Sequence, residues 1–385
     1  MGRVASYPTT VVTRWLVLLA AGFALPQAAH AHKPSDAYLT IERNGGALTG
    51  RFDIALRDLE LAIGLDANGD GEITWGEVRR QHNAIAALAV DRLSITAAGQ
   101  ACPLIVTGQR IDTHTDGAYA VIDLAGRCEA ESGVLAIDYR LLFDVDPQHR
   151  GLAQVVDEGV AQSLVLSADR PRAVVAGDDR LAQFMSYVRE GALHIWTGFD
   201  HMLFLIGLLL PAVLVRLNRH WAPAARVSPV AVDVFAVVTA FTIAHAITLT
   251  AASFKLVEVP SRIAESIVAL SIVLAALNNL RPVVARARWS IAFAFGLVHG
   301  LGFANVLAGL NLPRDVLLIA LVAFNVGVEL GQLAVAAVML PLAFMFRATA
   351  VYQQVVLIGG SIVIALLGVL WFVERAFNVV LWQAR

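Results

Sequence analysis

The sequence predicts an α-helical membrane protein: a six-helix transmembrane bundle preceded by an exported α+β domain. Three observations predict it. The chain of 385 residues is 57% hydrophobic and only 16% charged, with a mean hydropathy of +0.66. An ordinary soluble chain is about 25% charged. The apolar residues are unevenly spread: residues 32–190 hold most of the acids and turn formers, and apolar runs dominate from Gly191 onward. The N-terminus carries the pattern of an export signal. The formal net charge of −2, with no Lys/Arg cluster, points away from nucleic acid.

The signal reading covers residues 1–31. Arg3 and Arg14 form a basic segment, Trp15–Leu25 an apolar core too short to span a bilayer, and Ala29-His30-Ala31 a small-residue cleavage site. The predicted mature chain begins at His32, whose free amine and imidazole form a chelating pair for copper or nickel. Cys102 and Cys128 both fall in the exported region, and an even count in an oxidising compartment predicts one disulfide.

The exported domain is expected over 32–175. Residues 37–42 ("AYLTIE") and 47–54 ("ALTGRFDI") alternate in polarity around Asn44-Gly45-Gly46, a hairpin signal. From Leu93 to about Leu166, short strand-like runs separated by Gly, Asp and Pro predict a small β-sandwich. Between the hairpin and these strands lies Asp66-Ala67-Asn68-Gly69-Asp70-Gly71-Glu72-Ile73-Thr74-Trp75-Gly76-Glu77, flanked by helical patterns. It fits the EF-hand loop at every position. Ca²⁺ takes six to eight oxygens. Asp66, Asn68, Asp70 and Glu77 would offer side-chain oxygens, Glu72 its carbonyl, and Thr74 a water-mediated contact. Gly71 permits the sharp turn.

A polar linker is expected over 176–190 and the transmembrane domain over 191–375, leaving 376–385 as a short tail. Six apolar segments, near 192–215, 231–253, 262–280, 289–310, 315–345 and 353–373, each supply about the 20 residues a spanning helix needs. With the polar domain exported, the predicted setting is a bacterial inner membrane with that domain in the periplasm. The inner connections carry Arg216, Arg219, Arg226, Arg281, Arg286, Arg288 and Arg347. The outer side carries Lys255, Arg262, Arg314, Arg375 and Arg385, a modest positive-inside bias.

The apolar segments hold side chains that lipid rejects. An ionisable group at bilayer depth costs about 2.5–3.5 kcal/mol on insertion scales. The first segment has His194, Asp200 and His201; the second His245; the third Glu265; the fourth His299; the fifth Asn325, Glu329 and Gln332. At about 100° per residue, His194 and His201 are expected to share one helix face. Asn325, Glu329 and Gln332 follow i, i+4, i+7. At about 1.5 Å per residue, most of these groups fall in one slab between the outer mouth and the midplane. Gly296/Gly300 and Gly327/Gly331 bracket His299 and Glu329 with spacing that permits close helix approach, which would bring those two groups together. Imidazole and carboxylate suit Ni²⁺, Co²⁺ or Zn²⁺, and the segments hold no cysteine.

The His194–His201 pattern "H-x5-D-H", followed by "FGLVHG" and "FNVGVELGQL", resembles the HupE/UreJ family of nickel and cobalt permeases over about residues 185–373. The resemblance implies that His194, Asp200 and His201 handle metal. Of the family's second histidine motif only His299-Gly300 matches, with Gly302 where the acid would stand. The exported domain makes the chain similar to the longer branch.

The expectation is a secondary permease, a transporter more than an enzyme, since no P-loop is possible: neither Lys33 nor Lys255 follows Gly. A rival is an intramembrane zinc hydrolase with three histidines around one point and Glu265 or Glu329 as base. A third reading is a metal sensor or delivery protein whose exported domain docks a periplasmic partner.

Overall fold

The computed structural model describes residues 35–114, 117–175, 180–217, 220–284, 287–309, 314–377 and 379. The expected signal segment, His32 and most of the expected tail lie outside the described residues.

The N-terminal part is α+β. Strands β1 (Asp36–Asn44) and β2 (Ala47–Ala55) form the expected hairpin, with Asn44 opposite Ala47 and the turn made by Gly45-Gly46. Gly45 sits at φ +57°, where glycine carries no Cβ penalty. Helices α1 (Leu56–Ile63), α2 (Trp75–Arg80) and α3 (His82–Asp91) follow. The remaining strands are β3 (Leu93–Ala97), β4 (Gln100–Ala101), β5 (Leu104–His114), β6 (Gly117–Arg127), β7 (Leu135–Tyr139), β8 (Arg150–Asp157), β9 (Val160–Ser167) and β10 (Arg172–Val175).

One sheet runs β5-β6-β2-β1-β8-β9 and a second β10-β7-β3-β4. All described pairings are antiparallel except β1 with β8. Both sheets feed one core: Leu39, Phe52, Ile122 and Val155 from the first meet Ile95, Ile137 and Tyr139 from the second. The hairpin read as separate from the sandwich therefore supplies the middle of its larger sheet. Cys102 and Cys128 form a disulfide at one edge of that core.

The C-terminal part is helical: α4 (Arg180–Thr197), α5 (Phe199–Leu209), α6 (Val227–Ser253), α7 (Ser261–Leu280), α8 (Arg288–Gly309), α9 (Arg314–Phe346), a π-helical stretch at Tyr352–Gly359, and α10 (Gly360–Phe377). A short hairpin, β11 (Leu214–Leu217) and β12 (His220–Pro223), joins α5 to α6. Residues 180–190, read as linker, are the start of α4. Arg189 on that helix donates to Asp169 beyond β9, at 2.6 Å, tying the helix to the β-domain.

Among the described residues, four helices are long and apolar enough to cross a membrane. A fifth crossing results if α4 and α5, bent by 73°, count as one. The chain is thus a multi-pass membrane protein. Helix α8 covers most of the fourth apolar segment and packs on α6. The glycine pairs set these neighbours. A Cβ at Gly296 would approach the Phe241 carbonyl oxygen of α6 to 2.5 Å, and one at Gly327 would collide with the Val188 carbonyl of α4. Each pair therefore seats its helix on a different partner. It does not join His299 to Glu329.

Candidate metal centre

The first apolar segment is not one straight helix. Helix α4 ends at Thr197, Gly198 turns out of helical geometry at φ −76°, ψ 95°, and α5 restarts at Phe199. The break corrects the one-face expectation for His194 and His201. On a continuous helix, seven residues would separate them by about 10 Å along the axis. The bend instead brings their ring centroids to 4.5 Å. Glycine is needed there because a Cβ would lie 2.6 Å from the His194 carbonyl oxygen and 3.0 Å from His201 Nδ1.

His245 of α6 completes a triad. One ring nitrogen from each of His194, His201 and His245 lies within 4.8 Å of the others, a spacing that one ion can bridge. His299 of α8 stands against His201, ring centroids 4.9 Å apart. Four helical elements thus place imidazoles in one chamber, walled by Phe204, Phe241 and Phe324.

The hydrogen bonds fix which nitrogen faces inward. Asp200 Oδ1 accepts at 2.9 Å from His201 Nδ1, so His201 keeps its lone pair on Nε2. Asn325 donates its Nδ2 to the Leu321 carbonyl, so its Oδ1, 3.1 Å away, accepts from His245 Nδ1. Ser271 donates to the Val268 carbonyl, so its oxygen accepts from His299 Nε2 at 2.9 Å. The opposite nitrogens, His201 Nε2, His245 Nε2 and His299 Nδ1, are buried without a hydrogen-bond partner among the described residues. A buried polar atom left without a partner costs about 1–3 kcal/mol. Three such nitrogens, each on a ring held through its other nitrogen by an outer hydrogen bond, are available as donors, an arrangement that suits metal-ligating imidazoles.

The remaining sequence candidates stand apart from the triad. Asn325 holds His245 in place and is spent in doing so. Glu265 lies beside Arg375, Nε to Oε2 4.0 Å, and Arg375 also stands 3.8 Å from Asp200 Oδ2. Glu329 Oε1 accepts from Thr239 at 2.6 Å, and Gln332 Oε1 accepts from Thr242 at 3.2 Å. Sequence reasoning passed over Ser271, Thr239, Thr242 and Arg375. Ser271 had a signal, a hydroxyl facing the interior of an apolar helix. Arg375 looked like a tail charge.

The acidic loop folds its side chains back onto its own backbone amides. Asp66 accepts from the N–H groups of Gly69 and Gly71, Asp70 from Glu72 N–H, and Asn68 from Asp70 N–H. Gly71 sits at φ +82°. Glu77 caps α2 with Thr74 and reaches back to Ala67 N–H at 3.1 Å. The Gly71 and Gly69 amides hold the Asp66 carboxyl below the usual range, and Thr74 does the same for Glu77. The hard oxygen donors of Asp66, Asn68, Asp70 and Glu77 curl around one loop, a set that suits Ca²⁺.

A bundle of apolar helices with clustered imidazoles behind a broken helix defines a polytopic membrane protein with a candidate metal site. The family profile described as HupE / UreJ protein matches residues 170–375, and the chain belongs to that family, which is associated with nickel and cobalt transport. No curated protein matches it.

Proposed function

We propose that this protein is a secondary permease for a divalent transition metal, nickel or cobalt first, in the bacterial inner membrane with its N-terminal domain in the periplasm. The observation that carries the reading is the convergence of His194, His201 and His245. In this reading α8 completes six crossings, and Asp200 and Asn325 orient the ligating rings. The cargo ion exchanges its water for imidazole in the triad and then engages His299, which shares His201 as neighbour. Thr239, Glu329, Thr242 and Gln332 lie on α6 and α9 as the next polar groups. Arg375 offsets the negative charge of both Asp200 and Glu265. Imidazoles must be neutral to bind, so binding competes with protons and uptake should fall as the medium is acidified.

The test is uptake of radiolabelled nickel and cobalt by cells carrying His201→Ala or His245→Ala, with membrane insertion checked by immunoblot. Wild-type uptake in both variants rejects the reading.

The zinc hydrolase retains one supporting observation, three histidines around one point, the number of protein ligands a catalytic zinc takes. A hydrolase also needs a free base. Asp200 is engaged by His201 and Glu265 faces Arg375, while Glu329, held by Thr239 through Oε1, keeps Oε2 without a partner among the described residues and is the one carboxylate this reading could use as base. The loop at Asp66–Glu77 is proposed to bind Ca²⁺ as a structural ion of the exported domain.

A further inference from the structure

A cavity of about 810 Å³ lies at the far end of α5, where the ends of α5 and α7 meet the β11–β12 hairpin and the first turns of α6 and α8. Its wall includes Leu208, roughly two turns beyond His201 on α5. It is therefore separate from the imidazole chamber.

The wall carries three arginines, Arg216, Arg226 and Arg288, against one carboxylate, Asp233. Arg288 is already spent. Its Nη1 donates to Asp233 at 2.8 Å and its Nη2 to the Leu208 carbonyl. This pair is neutral and braces the wall. Arg216 and Arg226 have no carboxylate partner among the described residues, so the cavity keeps a net charge of +2. Arg216 rests over the Trp221 ring, guanidinium carbon 5.9 Å from the centroid, which limits where its charge can go. Arg226 precedes the first turn of α6, whose unpaired N–H groups add positive potential.

Two guanidinium groups without a carboxylate partner among the described residues line this one cavity, Arg216 half-buried and Arg226 exposed, and a charge-assisted hydrogen bond from each suits a shared anion. The rest of the wall describes what that anion is attached to. Val284 and Ile291 are apolar and half-buried, and Val215, also on the wall, is 44% exposed. A free inorganic ion would leave these surfaces wetted, whereas an amphiphile would cover them. We propose that this cavity binds the phosphate headgroup of an anionic phospholipid, with Arg216 and Arg226 as the phosphate donors and an acyl chain along Val215, Val284 and Ile291. Basic cavities between membrane helices bind anionic headgroups by the same chemistry. Its failure would leave the permease reading untouched, since none of these residues touches the metal centre.

The experiment is lipid binding to the full chain in detergent, read by native mass spectrometry and titration. The probes are phosphatidylglycerol, phosphatidylcholine with the same acyl chains, and inorganic phosphate. Phosphatidylglycerol should bind about tenfold more tightly than phosphatidylcholine. Arg216→Gln with Arg226→Gln should abolish that preference, and Arg216→Lys with Arg226→Lys should keep most of it. Gel filtration and melting curves check folding. If the double glutamine variant does not fold, each single variant should lose part of the preference. Equal binding of the two lipids overturns the proposal, as does a preference that survives in folded glutamine variants. Displacement of bound lipid by inorganic phosphate alone overturns it in favour of a free anion.

Discussion

His245 Nδ1 and Asn325 Oδ1 lie 3.1 Å apart on two helices that are 80 residues apart in sequence. The amide cannot rotate freely, because its Nδ2 is held by the Leu321 carbonyl at 2.8 Å. The contact therefore assigns the His245 proton to Nδ1 and turns Nε2 toward the other histidines. Asn325→Leu removes this assignment while keeping the volume. Nickel or cobalt affinity, measured by calorimetry on purified protein, should weaken by about 10- to 100-fold, the usual cost of losing an outer-shell partner. Unchanged affinity would mean that the ring is held by packing alone.

The contrast between Asn325 and Asp200 shows how far the sequence could be read. Both were legible as polar groups in apolar segments, because lipid exposes every such residue. Their division of labour was not legible. Each orients a ring through Nδ1, which depends on the packing of α6 against α9 and on the break at Gly198. The one-face argument for His194 and His201 failed because helical periodicity assumes an unbroken helix, and a glycine between two apolar runs is weak evidence for a break. The turns of the acidic loop were legible because they are local: Gly71 was read as permitting a sharp turn and sits at φ +82°. The hairpin at β11–β12 was not legible, because the charged connection after the first apolar segment carries no glycine turn signal.

Gly198 gives the second prediction. A side chain there meets the His194 carbonyl oxygen at 2.6 Å and Asp200 Oδ1 at 3.3 Å, so the bend must open. Gly198→Val should separate His194 from His201 and reduce bound metal at least tenfold, with the protein still inserted. Co²⁺ loading followed by visible absorption reads the ligand set directly. A wild-type spectrum would show that the bend tolerates a side chain.

Gly191 of α4 and Gly327 of α9 lie back to back, each with its Cβ position taken by the other helix's backbone. Enlarging either forces two backbones apart. Gly327→Leu should destabilise the bundle by about 1–3 kcal/mol, read as a lower melting temperature in detergent. Gly302 has open space where a Cβ would be built. Gly302→Ala therefore serves as the control and should melt close to wild type.

The acidic loop yields a prediction about the N-terminal α+β domain. Glu77 joins Thr74 and Ala67 within the loop, and its carboxyl stays ionised below the usual range. Calcium should raise the melting temperature of the full chain, and chelator should reverse the gain. Glu77→Gln should weaken calcium binding about tenfold or more by removing a charged ligand. A chelator-insensitive melting curve would leave the loop a metal-free cap on α2.

His149 sets the last prediction. It is fully buried, bonded to Ser35 through Nδ1 and to the Tyr139 hydroxyl through Nε2 at 2.6 Å. Burial, reinforced by neighbouring Arg150, pushes its pKa down from 6.5 to about 3. Between those values the unfolded chain binds a proton that the folded chain does not, so stability rises with pH. The contribution is fully present above about 6.5 and is lost on acidification by about 1.4 kcal/mol per pH unit. Asp58, which accepts from Ser35 at 2.7 Å, is pushed upward by burial and acts with the opposite sign. The two are separated by comparing wild type with His149→Gln. Hydrogen exchange of β1 and β8 in the full-length protein gives the opening free energy at each pH. The stability of wild type relative to the variant should decline steadily below pH 6.5. A constant difference across that window would mean that His149 takes up its proton inside the folded domain, with Tyr139 or Ser35 rotating to accept it.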